Sequence, residues 1–333
     1  MRTGHFLLAL IISSPILSSC NRPVTKSINP EDTGVLLQGS SSSSIAPAYW
    51  RWFSQLAVEQ NINADLQVMG SGASMRRFIS GTVDFSGTDT EPIPADFQAA
   101  KRGMLAFPVT ARAIAVAYNH PGCTLQLSRE QLADVFLGRI RDFAELGCSK
   151  QPIRILHRES ASGTTASFTA TLSAFSAAWR NGPGHGLQVK WPIGTSVKDG
   201  EAMIEQLKQI PGSLGYVEAA YVDKPLSSAA LASRSGRFLQ PTAVDAAEAI
   251  TTIRLDQRLL GQNPDPEAGY PIVSLAWVLV PRQPEASKAE ALRSSLHYVL
   301  SQSGQDDAEL LGYVPLPTAV LEKSKQQVEQ IQP

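Results

Sequence analysis

The alternation of apolar and polar positions along the chain predicts strands that alternate with helices. Three times an apolar strand segment runs into a turn rich in serine and glycine and then into a helical pattern. The strand segments are Val35–Leu37, Leu66–Met69 and Ile153–Leu156, and the turns are Gly39–Ser44, Gly70–Ser74 and Ser160–Thr165. Apolar residues then recur at helical spacing: Trp50, Phe53 and Ala57; Met75, Phe78 and Ile79; Phe168, Leu172 and Phe175. This order is typical of an α/β fold with mainly parallel sheets.

The three turns predict a binding site for an oxyanion. In open α/β sheets, ligands bind at the carboxyl ends of the strands, where these turns are expected to lie. The first N–H groups of a helix point outward with the positive end of the helix dipole, so an anion can be hydrogen-bonded there. The alternative is that the serines are N-caps, but capping needs one hydroxyl per helix and leaves the others unexplained.

Two long apolar segments, Phe107–Asn119 and Tyr270–Val280, allow two interpretations. If they connect two domains, residues 34–118 and 276–322 form the first domain, residues 119–275 form the second, and residues 323–333 form a tail. Alternatively, both segments are central strands that are buried on two faces.

The start of the chain predicts export. Arg2 is followed by an apolar run, Phe6–Leu17, and by Leu-Ser-Ser before Cys20, which fits a lipoprotein signal peptide of residues 1–19. Cys20 is then the lipid-carrying residue, and residues 20–33 are a tether on the outer side of the inner membrane. The alternative is an ordinary signal peptide with a chance cysteine. No later segment is apolar enough over a sufficient length to cross a membrane, so the lipid is the expected membrane attachment.

Composition excludes some classes of function. The length of 333 residues exceeds the usual range of a single domain and indicates two domains. The formal net charge is −1 and there is no basic cluster, which argues against nucleic acid as a partner. Cys123 and Cys148 are expected to form a disulfide in an exported protein, although two unrelated buried thiols are the alternative. No CxxC or HExxH motif occurs and the histidines are scattered, so neither a metal nor another cofactor is expected.

Two charged residues make the predicted site more specific. Arg158 follows a predicted strand and precedes the third turn, and its guanidinium can bind an oxyanion through two N–H groups at once. Asp89 follows a short predicted strand, 83–85. A carboxylate helps to bind an anion only if the ligand donates a proton to it, as a protonated oxyanion does and sulfate does not. The alternatives are a solvated surface arginine and an Asx turn or helix cap at Asp89.

Several stretches occur in an order and spacing that identify a family: GSSSSSIAPAYWRW, GSGAS with its helix, GTVDFSGTD, LADVFLGRI, HRESASGTT, VKWPIG and PGSLGYVE. From Gly34 to Leu321 the chain resembles the substrate-binding lipoproteins and periplasmic proteins of phosphate ABC importers, the PstS and SphX type. The resemblance implies a type II periplasmic binding fold: two α/β domains with mixed, mainly parallel sheets, joined by a two-strand hinge, with one phosphate in the cleft. The ligands that it implies are Ser43, Ser44, Ser71, Asp89, Arg158, Ser162, Gly163 and Thr164.

The chain departs from the family pattern at three places. The family's first turn usually reads Thr-Phe-Pro, where this chain has Ser43, Ser44 and Ile45, so Ser44 is expected to offer mainly its backbone N–H. The family often has an Asp two residues after the arginine, where this chain has Ser160. A GGKGN stretch is replaced by TSVKDG at Thr195–Gly200. These departures predict an altered affinity or selectivity.

The resemblance implies a monomeric, high-affinity phosphate receptor that performs no chemistry itself. It would close on phosphate by hinge motion and deliver it to the permease of an ABC transporter. One alternative is a secreted hydrolase, such as a phosphatase or serine esterase, but the sequence has no GxSxG motif and no recognisable general base. The other is a phosphate sensor or scavenger that has the same pocket and contacts no permease.

Overall fold

The computed structural model describes residues 34–332. The predicted signal peptide, the tether and lipidation at Cys20 lie outside these residues. Among the described residues, the strands are β1 (Val35–Ser42), β2 (Ile62–Met69), β3 (Phe85–Thr88), β4 (Leu105–Tyr118), β5 (Gln126–Leu127), β6 (Arg154–Arg158), β7 (Thr195–Val197), β8 (Ser213–Glu218), β9 (Ser227–Ser228), β10 (Ala230–Ala232), β11 (Phe238–Leu239) and β12 (Val273–Val280).

The helices of the same residues follow the strands in alternation over most of the chain. They are α1 (Ala46–Gln60), α2 (Ser71–Ile79), α3 (Pro94–Ala99), α4 (Arg129–Phe136), α5 (Gly163–Phe175), α6 (Ala177–Asn181), α7 (Gly200–Gln209), α8 (Ala243–Ile250), α9 (Ala286–Val299), α10 (Gln302–Glu309) and α11 (Thr318–Val328). The α/β class predicted from the sequence is confirmed. No helix within the described residues is long and apolar enough to cross a bilayer.

The main sheet is mixed, and its strands lie in the order β2-β1-β3-β12-β4-β8-β6-β7, with β9 paired to β4. β1 pairs in parallel with β2 and β3, and β6 pairs in parallel with β7 and β8. The pairings that involve β4 and β12 are antiparallel. A small second sheet has the order β11-β10-β5. The carboxyl ends of β1, β2 and β3 therefore lie at one edge, as do those of β6 and β8.

The two long apolar segments become β4 and β12, which are buried at every position and run side by side. The first part of β4, Leu105–Ala113, pairs with β12, and the second part, Ile114–Tyr118, pairs with β8. β4 thus joins the strand group of β1 to that of β6. Both segments are central strands, and their use as a hinge between two domains stays a prediction.

The first serine-rich segment differs from its predicted form. Gly39–Ser42 belongs to β1, because this strand is paired on both sides and the pairing keeps its polar residues extended. Only the residues from Ser43 to Ile45 form the turn before α1. The second and third segments open α2 and α5 as predicted.

Helix α1 has the predicted position, but its large buried residues each lie one position before a residue that was predicted to be buried. Tyr49, Trp52 and Leu56 are buried, whereas Trp50 is 56% exposed. The indole N–H of Trp52 donates to the carbonyl of Gly304 at the start of α10 over 2.7 Å, which fixes this face toward the core. Packing against α10 therefore decides which face is buried.

Cys123 and Cys148 form the expected disulfide, with their Cα atoms 5.4 Å apart, and it closes a loop with a sequence separation of 25. On the chain-entropy model such a crosslink stabilises the fold by about 3 kcal/mol. The residues from 323 onward, predicted as a tail, include the end of α11, and both Val328 and Ile331 are buried.

Candidate anion-binding site

The ends of three neighbouring strands bring the first group of predicted site residues together. Ser44 follows β1, Ser71 opens α2 after β2, and Asp89 directly follows β3. Because β1 lies between β2 and β3 and is parallel to both, the three side chains arrive at the same edge of the sheet. This convergence is the arrangement expected for a binding site in an α/β sheet.

The carboxylate of Asp89 is the centre of the cluster. Asp89 is 3% exposed, its Oδ1 accepts a hydrogen bond from the Ser71 hydroxyl, and its Oδ2 accepts one from the Ser44 hydroxyl at 2.7 Å. Among the described residues its partners are side chains, so it acts neither as an Asx turn nor as a helix cap. Since an ionised carboxylate offers about four lone-pair positions, it can accept a further donor.

The start of α5 lies directly against this carboxylate. The backbone N–H of Gly163, the first residue of α5, donates to the Ser71 hydroxyl oxygen at 3.2 Å. An ideal Cβ built on Gly163 would lie 2.1 Å from Asp89 Oδ1 and 2.2 Å from its Cγ. Only glycine therefore allows Asp89 to approach the helix start this closely.

Thr164 joins the cluster through a second carboxylate. Its hydroxyl donates to Glu218 Oε1 at 2.8 Å, and Glu218 is the last residue of β8 and 7% exposed. The sequence contains Glu218 within the PGSLGYVE stretch, where nothing marked it as a site residue. Its position follows from the pairing of β8 with β4 and β6, which places the carboxyl end of β8 beside α5.

Arg112 is the functional candidate that sequence reasoning missed. It lies in the middle of β4, is 2% exposed, and its Nη2 lies 2.5 Å from Asp89 Oδ2. Its Nη1 lies 3.4 Å from Glu218 Oε1. A charged residue within an otherwise apolar segment of this length was the available signal, because a buried charge needs a partner.

The charges in the cluster stabilise one another. Burial alone raises the pKa of Asp89, but the positive charge of Arg112 and the hydroxyls of Ser71 and Ser44 outweigh burial and hold this pKa below its ordinary value. Burial likewise opposes the charge of Arg112, and the carboxylates of Asp89 and Glu218 outweigh it and raise the pKa of Arg112. Asp89 and Arg112 are therefore both ionised at neutral pH.

Arg158, the last residue of β6, is 8% exposed and has no carboxylate partner within 4.0 Å among the described residues. Its backbone N–H donates to the Tyr216 hydroxyl at 3.2 Å, and the same hydroxyl lies 2.8 Å from the hydroxyl oxygen of Thr165. The guanidinium donates to Ser160 Oγ through Nη2 at 3.4 Å, while Nε makes no hydrogen bond to any described residue. Arg158 is thus a buried cation, tied to the first turn of α5, with donor capacity left over.

The predicted residues fall into three groups. Ser44, Ser71, Asp89 and Gly163 are in direct contact, and Thr164 reaches the same cluster through Glu218 and Arg112. Ser162 is the N-cap of α5, where its hydroxyl accepts from the Thr165 N–H at 3.4 Å, as the capping alternative expected. Ser43 is exposed in the turn before α1, and the guanidinium of Arg158 forms neither a hydrogen bond nor an ion pair with Asp89.

Comparisons with known proteins identify relatives over most of the chain. A family model described as a PBP superfamily domain matches residues 27–303. The phosphate-binding protein PstS of Xylella fastidiosa is 31% identical over 85% of this chain and 82% of its own length. The protein of the same name from Pasteurella multocida is 29% identical over 98% of this chain and 96% of its own length.

Solved structures resemble the fold as well. A high-affinity periplasmic phosphate-binding protein, PfluDING, whose structure holds phosphate, superposes with a TM-score of 0.74. The match covers 87% of this chain and 93% of that one at 18% sequence identity. At this identity the likeness establishes the fold, which is the type II periplasmic binding fold expected from the motifs.

Proposed function

We propose that the chain binds one inorganic phosphate ion and delivers it to an ABC transporter. The premise is that the chain belongs to the PBP superfamily and to the PstS family of phosphate-binding proteins. The proposed ligand groups are those named by the motifs: Ser43, Ser44, Ser71, Asp89, Arg158, Ser162, Gly163 and Thr164. No chemical step is part of this function.

The observation that carries the proposal is the convergence of residues from the starts of α1, α2 and α5 on the Asp89 carboxylate. The hydroxyls of Ser44 and Ser71 both point to Asp89, and the N–H of Gly163 points to Ser71. A carboxylate with an unused lone pair beside helix starts suits a ligand that is an anion and still carries a proton. Hydrogen phosphate is such a ligand near neutral pH.

Arg158 supplies the proposed fixed counter-charge. Because no carboxylate of the described residues pairs with it, its charge is available to an anion. The start of α7 adds to this, since an ideal Cβ on Gly200, the first residue of α7, would lie 3.2 Å from Arg158 Nη1. A guanidinium and the positive end of a helix dipole repel each other slightly, and an anion between them would relieve that repulsion.

The transport role rests on the same family membership. We assign residues 34–118 and 276–322 to one lobe and residues 119–275 to the other, with β4 and β12 as the hinge on which the lobes close around phosphate. The closed monomer would dock on the permease. Cys20 would hold it by its lipid on the outer side of the inner membrane.

Calorimetry on the folded chain tests the binding function. We expect one phosphate per chain and a clearly lower affinity for sulfate under the same conditions. A turnover assay with a chromogenic phosphate ester and a carboxylic ester runs in parallel, because a receptor binds stoichiometrically and releases no product. Absence of phosphate binding, or catalytic release of product, would contradict the proposal.

The role of Asp89 has its own test. We expect Asp89→Asn to weaken phosphate binding by about 10- to 100-fold at a pH where phosphate carries one proton, because a hydrogen bond to a charged group contributes about 1.5–3 kcal/mol. Because sulfate has no proton to donate, we expect the sulfate affinity to fall little, so the ratio of the phosphate affinity to the sulfate affinity decreases.

Asp84→Asn is the matched control for this substitution. Asp84 is also a buried aspartate paired with cations, with Lys288 Nζ at 2.9 Å, but it lies before β3 whereas Asp89 lies after it. We expect Asp84→Asn to lower stability and leave the phosphate affinity unchanged. If both variants weaken phosphate binding equally, or neither does, Asp89 has no direct role.

A further inference from the structure

Arg112 lies between two buried carboxylates that come from different parts of the sheet. Asp89 follows β3, and Glu218 ends β8, on the other side of β4. Arg112 contacts Asp89 Oδ2 through Nη2 at 2.5 Å and faces Glu218 Oε1 through Nη1 at 3.4 Å. The hydroxyls of Tyr221 and Tyr313 also face this group, and Tyr313 donates to the carbonyl of Ser44 at 2.7 Å.

The guanidinium of Arg112 has donors to spare. Nε and Nη1 are buried and make no hydrogen bond to any described residue, although a guanidinium carries five N–H donors. A buried donor without a partner costs free energy, so such groups are rare unless a ligand or water completes them. Arg112 is thus more than the counter-ion that Asp89 requires.

Arg112 changes what the Asp89 carboxylate can recognise. A bare carboxylate in a buried site repels an anion without a proton and leaves its own charge desolvated. A cation 2.5 Å from Oδ2 offsets part of that repulsion, because a ligand beside the pair interacts with both opposite charges. The ion pair of Asp89 and Arg112 therefore carries no net charge against an anion.

We propose that Arg112 is a specificity-determining residue of the proposed phosphate site, and that by neutralising Asp89 it lets the site accept a tetrahedral oxyanion without a proton, such as sulfate, in addition to hydrogen phosphate. This inference rests on the proposed function. Phosphate remains the tighter ligand, because only phosphate can donate a proton to the lone pair that Asp89 still has.

Titration calorimetry with sodium phosphate and with sodium sulfate tests the proposal at mildly alkaline pH. We expect the wild-type chain to bind sulfate at millimolar concentrations and phosphate more tightly. We expect Arg112→Gln to lower both affinities and to lower the sulfate affinity about ten times more than the phosphate affinity. Arg112→Lys keeps the charge and is expected to keep the ratio of the two affinities within about threefold of the wild-type ratio.

Arg102→Gln is the matched control, because Arg102 faces another buried aspartate, with its Nη1 3.7 Å from Asp84 Oδ1. Both affinities are expected to stay unchanged in this variant. If Arg112→Gln does not fold because two carboxylates lose their cation, the double variant Arg112→Gln/Glu218→Gln removes one charge of each sign and keeps Asp89. The same change in the ratio is then expected.

Two results would overturn the inference while the proposed function stands: equal losses of phosphate and sulfate affinity in Arg112→Gln, and no sulfate binding by the wild-type chain beside firm phosphate binding. The first outcome would mean that Arg112 only supports the fold. A wild-type chain that binds neither ion would instead overturn the proposed function itself.

Discussion

Arg158→Ala is expected to reduce phosphate affinity by a factor on the order of 10³, to below detection by calorimetry. Truncating one partner of a buried, hydrogen-bonded charge pair costs about 2–5 kcal/mol, and each 1.4 kcal/mol is tenfold in affinity. Arg158 belongs at the upper end of this range, because it is 8% exposed and no carboxylate among the described residues shares its charge. Stability should fall little, since no buried ion pair is broken.

Two variants control for this substitution. Arg154 is the first residue of the same strand, β6, and is exposed, so Arg154→Ala is expected to leave phosphate affinity unchanged. Arg158→Lys keeps the charge and loses the planar fork, and we expect an intermediate affinity. If Arg158→Ala stays within a few-fold of the wild-type affinity, the third serine- and glycine-rich turn is not part of the site.

Much of the geometry of the candidate site could be predicted, because it depends on which residues follow each strand. Each of Ser44, Ser71 and Asp89 follows the end of a strand, and parallel neighbours end at the same edge of a sheet. The motifs also identified the PstS family, which the comparisons confirm. These inferences needed only which residues follow which strand.

Arg112 could not be placed by the same reasoning. In the sheet order, β12 lies between β3 and β4. The neighbours of Arg112 in the sheet therefore include residues 273–280, which are far from it in sequence. Arg112 pairs with Ser274 of β12, and its long side chain reaches past this strand to Asp89. Such a contact depends on register between distant segments, which apolar periodicity does not contain.

The first serine-rich segment shows the opposite error. Serine and glycine have an intrinsic preference for turns, and on that basis Gly39–Ser44 is expected to be a loop. Two-sided pairing overrides that preference, because Gly39, Ser40 and Ser41 are in register with residues of both β2 and β3. The hydroxyls of Ser40 and Ser74 then form a hydrogen bond of 3.0 Å inside the fold, so most of this segment contributes to packing and only its end reaches the candidate site.

Gly163→Ala is expected to weaken phosphate binding by a factor of about 100 or more. Alanine normally stabilises a helix relative to glycine, by about 0.5–1 kcal/mol, so a gain in stability would be the default. At Gly163 the new methyl group would overlap the Asp89 carboxylate, since an ideal Cβ lies 2.1 Å from Oδ1 and 2.7 Å from Oδ2. Either Asp89 or the start of α5 must move, and both the hydroxyl contacts of Asp89 and the N–H of Gly163 are then displaced.

Gly72→Ala gives the matched comparison, because Gly72 also lies in the first turn of a site helix, α2. There the ideal Cβ would meet its nearest neighbours, Ala161 Cβ and Arg76 Nη1, at 3.5 Å, which is ordinary van der Waals contact. Titration calorimetry and thermal denaturation of both variants separate the two effects. Gly72→Ala should keep wild-type affinity with equal or slightly higher stability, whereas Gly163→Ala should lose affinity and stability together. Unchanged phosphate binding in Gly163→Ala would mean that the close approach of Asp89 to α5 is not needed to hold the anion.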